Sequence, residues 1–127
     1  MTDLTGRKPI LCLDFDGVCH SYTSGWKGAA VIPDPPVPGL FEFLVAASRE
    51  FEINIFSSRS HQDGGQQAMY RWFNVWSPGL VDELGIRFPL EKPPAFVGID
   101  DRVILFMGEW PSINYLKNFK PWNAKEV

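Results

Sequence analysis

Apolar residues along this chain fall into short clusters separated by turn-forming stretches. Ile10, Leu11, Cys12 and Leu13 make an unbroken apolar run, the pattern of a strand buried on both faces. Residues 18–38 are rich in Gly, Ser and Pro, which predicts an irregular excursion or a hairpin. Pro38 fits the first turn of a helix, and Leu40, Phe41, Leu44, Val45 and Ser48 follow at helical spacing. That helix is expected to run to about Glu50. Residues 52–56 alternate as a second buried strand, ending at Ser57, Ser58 and Arg59. Ser60, with Asp63 three positions on, reads as the cap of a second helix. Met69, Trp72, Phe73 and Trp76 share one face of it, read as core packing rather than a base-stacking platform. Ser77, Pro78 and Gly79 stop that helix. Further strands are expected at 86–88, 95–99 and 103–106. One helical turn follows Pro111 before the chain end frays.

Strands alternating with helices predict an α/β fold with a parallel sheet covered on both faces. In such sheets the site lies at the carboxyl ends of the strands. With 127 residues, of which 45% are hydrophobic, the chain fits one domain over 1–127, with a small flap at about 18–38. The net charge of −3 speaks against a protein that grips long nucleic acid through a basic field. Two cysteines are too few for a disulfide framework, and Cys12, inside an apolar run, reads as a core residue. Residues 1–8 are polar and lack the apolar stretch of a signal peptide, so a cytoplasmic location is expected.

Three polar clusters sit where predicted strands end: Asp14-Phe15-Asp16-Gly17, Ser57, and Asp100-Asp101. Residues i and i+2 of a strand point the same way, so Asp14 and Asp16 can both face the rim while Gly17 lets the backbone turn. A lone D-x-D-G is common in turns. A second acidic pair changes the reading, because neighbouring parallel strands would bring Asp100 and Asp101 beside it. Two like charges 4 Å apart repel by about 4 kcal/mol at an effective dielectric of 20. Carboxylates so crowded take up protons or a cation, and a hard, oxygen-liganded ion such as Mg²⁺ suits them. Ser57 offers a hydroxyl to a phosphate oxygen, Arg59 or the backbone beside it a further contact, and Lys92 a positive charge for a phosphoryl group in transfer. His20 and His61 have no partners at ligand spacing and are read as polar loop residues.

In that order, residues 11–17, then Ile55-Phe56-Ser57, Lys92 and residues 97–101, the chain resembles the haloacid dehalogenase-like (HAD) hydrolase superfamily, in its short capless branch. The resemblance implies a three-layer α/β/α Rossmann-like core around a central parallel sheet, with no cap domain. It implies a Mg²⁺-dependent phosphatase in which Asp14 forms an aspartyl-phosphate and Asp16 serves as general acid and then base. Ser57 and Lys92 would hold the phosphoryl group. Asp14, Asp16 through its carbonyl, Asp100 and Asp101 would hold the metal. A capless site is open, so the implied substrate is a small or macromolecular phosphate, including a nucleotide or a nucleic-acid end, with Trp26 and Lys27 on the flap placed to touch it.

A response-regulator receiver also uses an acidic pair, a phosphorylated Asp, a hydroxyl and a Lys. Its acidic pair leads the chain and its lysine closes it, whereas here Asp14 and Asp16 lead and Asp100 and Asp101 close. A non-catalytic binding module of the same fold is the other alternative, and it would be expected to have lost one of these carboxylates.

Overall fold

The computed structural model describes residues 6–124. Residues 1–5 of the polar N-terminal stretch and residues 125–127 of the expected frayed end lie outside them. Three short strands, β1 (Ile10–Leu13), β2 (Glu52–Ile55) and β3 (Val97–Ile99), form one parallel sheet in the order β2-β1-β3. Leu13 stands opposite Ile55 on one side and Ile99 on the other. The ladder continues past the strand ends, with Phe56 N–H donating to Leu13 O at 3.0 Å and Asp14 N–H to Ile99 O at 3.0 Å. That extension fixes where Asp14 stands relative to residues 56–57 and 100–101.

Helix α1 (Leu40–Ser48) follows β1 and the flap. It begins after Gly39, whose φ of +89° is the left-handed conformation that glycine tolerates. Pro38 therefore lies before the helix and not in its first turn. Helices α2 (Gly65–Trp76) and α3 (Leu80–Leu84) follow β2, separated by the expected break at Ser77 to Gly79. Among the described residues there are four α-helices, the last being α4 (Ile113–Lys117), the single turn foreseen after Pro111.

The core is built on one face of the sheet. Leu11 and Leu13 of β1 and Ile53 and Ile55 of β2 pack with Leu44, Met69, Phe73 and Val81. Phe15 is fully buried and meets Trp72 edge-on at 5.1 Å and Phe73 at 5.9 Å. Trp76, placed on the same helical stripe, is 48% exposed, because α2 ends there and its last turn overhangs the core.

The other face differs from expectation. β1 alternates between buried and half-buried residues, and β3 is exposed along its length, so neither strand is covered on both sides. The connection from Arg87 to Val97 is short and carries Pro89, Pro93 and Pro94, which precludes a helix there. Helix α4 has no buried residue and supplies no second layer. Cys12 faces this side and is half-buried, while Cys19, fully buried, is the core cysteine; both are free thiols. Residues 86–88 contribute one bridge, Arg87 to Asn54, with Ile55 N–H donating to Arg87 O at 2.8 Å, but do not extend into a strand. Residues 103–106 form no strand; Val103, Leu105 and Phe106 are all exposed. The excursion at 18–38 is irregular, closed by a single antiparallel bridge between His20 and Pro36. No helix among the described residues is long and apolar enough to cross a membrane.

Phe73 is fully buried at the centre of this one-sided core. Phe73→Ala should destabilise the fold by about 3–5 kcal/mol, whereas Trp76→Ala should cost less than about 1 kcal/mol, as read by urea unfolding.

Candidate functional site

Parallel pairing of β1 with β3 brings the two acidic clusters together. Asp14, Asp100 and Asp101 each offer a carboxylate oxygen within 4.8 Å of the others. Their surroundings are not equivalent. Burial pushes the Asp14 carboxyl up from the ordinary 3.8 to about 8, and the neighbouring Asp100 charge adds to this; a hydrogen bond from the Phe15 backbone opposes it, and Asp101 raises it further. Asp101 Oδ1 is buried with no hydrogen-bond partner among the described residues. A buried acceptor left unpaired is costly, and a cation among three hard oxygen donors would satisfy it. The donor set thus fits a divalent ion such as Mg²⁺.

Gly17 makes this approach possible. Its φ is +82°, and a Cβ built on it would collide with the Asp101 carboxylate. Cys19 supports the same turn by donating from Sγ to Asp14 O at 3.5 Å. From the far end of the chain, Trp122 Nε1 donates to Gly17 O at 2.8 Å and Asn123 Nδ2 to Ser21 O at 2.9 Å.

Ser57 is buried and stands two residues beyond β2, which ends at Ile55 and not at 56. It also caps the turn that follows: Arg59 N–H donates to Ser57 Oγ, and Ser57 N–H donates to Ser60 Oγ, both at 3.1 Å. This reciprocal pair is a capping box on the short 3-10 turn Ser58–His61. The cap therefore belongs to Ser57 and not to Ser60, and α2 starts after Gly64 instead. Because Ser57 Oγ accepts in this arrangement, its own O–H remains able to donate. Ser57, Lys92, Asp14 and Asp100 line one cavity of about 590 Å³, with Cys12 and Phe96 on its walls. Lys92 is exposed, and none of the ion pairs among the described residues joins it to the carboxylates.

Asp16 stands apart from this cluster. Its carboxylate receives Arg59 Nε at 2.9 Å on Oδ2 and Arg59 Nη2 at 3.0 Å on Oδ1, and it faces His20 Nδ1 at 3.0 Å. The hydrogen bonds from His20 and Arg59 outweigh burial and hold its carboxyl below the usual range. The Asp16 carboxylate is thus no part of the acidic cluster of Asp14, Asp100 and Asp101. His20 lies in the flap, as expected of a loop residue, but is fully buried: Asp34 N–H donates to its Nε2 at 3.0 Å, which leaves Nδ1 to carry the proton toward Asp16. Arg59, expected near phosphate, is also fully buried and turned toward Asp16 and the flap. The sequence carried one signal for this clamp, a cation two residues beyond a rim serine, but not the residue 43 positions earlier that it binds. His61 is exposed, edge-on to Phe56 at 5.6 Å. Trp26 lies over the Arg59 guanidinium at 4.6 Å, and Lys27 is exposed.

A scan against known protein families and comparisons with curated proteins and with solved structures all find no match for this chain.

Asp14 binds its proton more tightly folded than unfolded. Its contribution to stability is therefore full below the ordinary carboxyl value and is lost as pH rises through about 8. Melting of the metal-free protein should show Asp14→Asn flattening this decline, and Mg²⁺ should raise the melting temperature more above about pH 8 than well below it. Gly17→Ala should destabilise by about 1–3 kcal/mol through its left-handed backbone and should weaken the Mg²⁺ response by displacing Asp101, as read by urea unfolding with and without the ion.

Proposed function

We propose that the protein is a Mg²⁺-dependent phosphomonoester hydrolase of the HAD type, working through an aspartyl-phosphate on Asp14. The observation that supports this most is the convergence of Asp14, Asp100 and Asp101, two of which, Asp14 and Asp100, share one cavity with Ser57 and Lys92. Asp14, Ser57, Asp100 and Asp101 follow the carboxyl ends of the three strands, where an open parallel sheet places its chemistry, and Lys92 comes from the connection before β3. The resemblance in motif order adds to it, as does the α/β fold; membership of the HAD class and the cytoplasmic location belong to the same proposal.

In this reading an Asp14 carboxylate oxygen attacks phosphorus, forming the acyl-phosphate P–O bond as the ester P–O bond breaks. The departing alkoxide takes a proton from Asp16. Water then attacks the same phosphorus, giving its proton back to Asp16 and releasing inorganic phosphate with Asp14 restored. Ser57 O–H and Lys92 bind the phosphoryl oxygens and orient them toward Asp14. When bound, the metal would be held by Asp14, Asp100, Asp101 and the Asp16 carbonyl and would neutralise charge on both the carboxylates and the phosphoryl group. The contacts from Arg59 and His20 keep Asp16 ionised, which suits its role as base toward water and makes protonation the demanding part of its role as acid. The cavity is open on the bare sheet face and takes small phosphate esters or the phosphorylated end of a larger molecule, nucleotides and nucleic-acid ends included.

Hydrolysis of p-nitrophenyl phosphate should require Mg²⁺ and fall by about three orders of magnitude or more in Asp14→Asn, because the nucleophile itself is lost. Absence of turnover by the wild type across a panel of phosphate esters, with binding retained, would favour the non-catalytic module instead.

A further inference from the structure

The flap at residues 18–38 meets Asp16 directly at its start, through His20, while its middle meets Asp16 through the side chain of Arg59. Arg59 is fully buried, so its guanidinium has no water to rely on and must find protein partners for its N–H groups. It finds them on two sides. Nε and Nη2 point at the Asp16 carboxylate, while Nη1 donates to three carbonyls of the flap: Gly28 at 2.8 Å, Ala29 at 2.9 Å and Val31 at 3.2 Å. The Trp26 ring covers the guanidinium at 4.6 Å. Three carbonyls from so short a segment turned toward one cation make the cation the template for the shape of that segment.

The base of the flap is tied separately. Ser21 N–H donates to Pro35 O at 2.9 Å and Val37 N–H to Cys19 O at 2.8 Å. Asp34 accepts from Ser24 N–H at 2.8 Å, and Trp72 Nε1 donates to Asp34 O at 3.0 Å. None of these bonds involves Arg59. The middle of the flap thus hangs on a charged group whose only ion-pair partner among the described residues is Asp16, while its base does not.

We propose that Arg59 is a positioning residue that joins the Asp16 carboxylate and the flap segment 26–31 into one unit, so that the segment stays seated only while Asp16 holds the guanidinium. The charge balance requires the coupling. A guanidinium buried at the flap is tolerable because a carboxylate compensates it, and truncating one partner of such a pair is strongly destabilising to what the other supports. In turn, the flap carbonyls fix the angle at which the fork of Arg59 meets Asp16, and so the direction in which that carboxylate faces the reacting phosphate. The consequence for catalysis rests on the function proposed above; the mechanical coupling does not.

Hydrogen–deuterium exchange of the intact chain tests the coupling without reference to activity. In Asp16→Asn, which offers one acceptor oxygen in place of two charged ones, amides of segment 26–31 should exchange at least about tenfold faster, with those at Ser21 and Val37 and in β1 and β2 unchanged. Arg59→Lys should give the same pattern, since an ammonium cannot reach the carboxylate and three carbonyls together. The double variant should be no faster than either alone, which a general loss of packing would not produce. Asp14→Asn, two residues away, should leave the flap as in the wild type. Should Asp16→Asn also lose protection in β1 and β2, the folded Arg59→Lys protein decides the matter. Wild-type exchange of segment 26–31 in either folded variant, or equal loosening by Asp14→Asn, would overturn the proposal. For turnover, Arg59→Lys should lower kcat with little change in KM. A wild type without phosphatase activity would remove the proposed reaction and leave the exchange result to stand on its own.

Discussion

Three carboxylates are held within 4.8 Å of one another by backbone hydrogen bonds that their own charges oppose. Asp14 N–H donates to Ile99 O, and this bond carries the β1–β3 ladder one residue beyond the strands to the point where Asp100 and Asp101 begin. The sheet can enforce such crowding because it is anchored by the Leu and Ile side chains on its packed face, and the energy of that packing does not depend on what stands at the rim. Gly17 removes the last steric obstacle to Asp101. Burial raises the Asp14 carboxyl, and the neighbouring Asp100 charge that the ladder brings close adds to it.

Two aspartates separated by one residue are given opposite environments. Asp14 is pushed toward its neutral form by burial and then by the neighbouring carboxylates, while Asp16 faces an imidazole and a guanidinium and is held ionised. Divergence of this kind within one short motif is how a fold assigns different tasks to identical side chains. The alternation of strand residues alone does not create it. It arises because Phe15 between them is drawn into the aromatic core against Trp72 and Phe73, which fixes the turn that sends Asp16 toward the flap and away from Asp14.

Much of the site was legible in the sequence because it depends on strand ends. Periodicity located β1, β2 and β3 closely enough to say that residues 14, 57 and 100 would share a rim. Features that need a partner elsewhere were not legible. Residues 103–106 have strand composition but no neighbour to pair with, and residues 86–88 reach β2 for only one bridge. Helix α3 is a five-residue element set off by glycines at both ends, too short for a periodic signal. The second layer was expected from the apolar character of Ile10 to Leu13, yet composition cannot report that the connection to β3 lacks room for a helix. Arg59 shows the same limit: its class was visible, but its partner lies across the flap and not along the chain.

The hydrogen bond from Trp122 to Gly17 spans nearly the whole chain, and β1, the central strand, pairs on one side with a segment from the last third. A polypeptide emerging from the ribosome amino end first can assemble β1, α1 and β2 early, since those elements are consecutive. Contacts closing such long loops come late, because their entropic cost is met only once nearer contacts exist. Nascent chains would thus acquire an apolar nucleus before the acidic residues are brought face to face, so that the least favourable electrostatic step is deferred until there is structure to bear it.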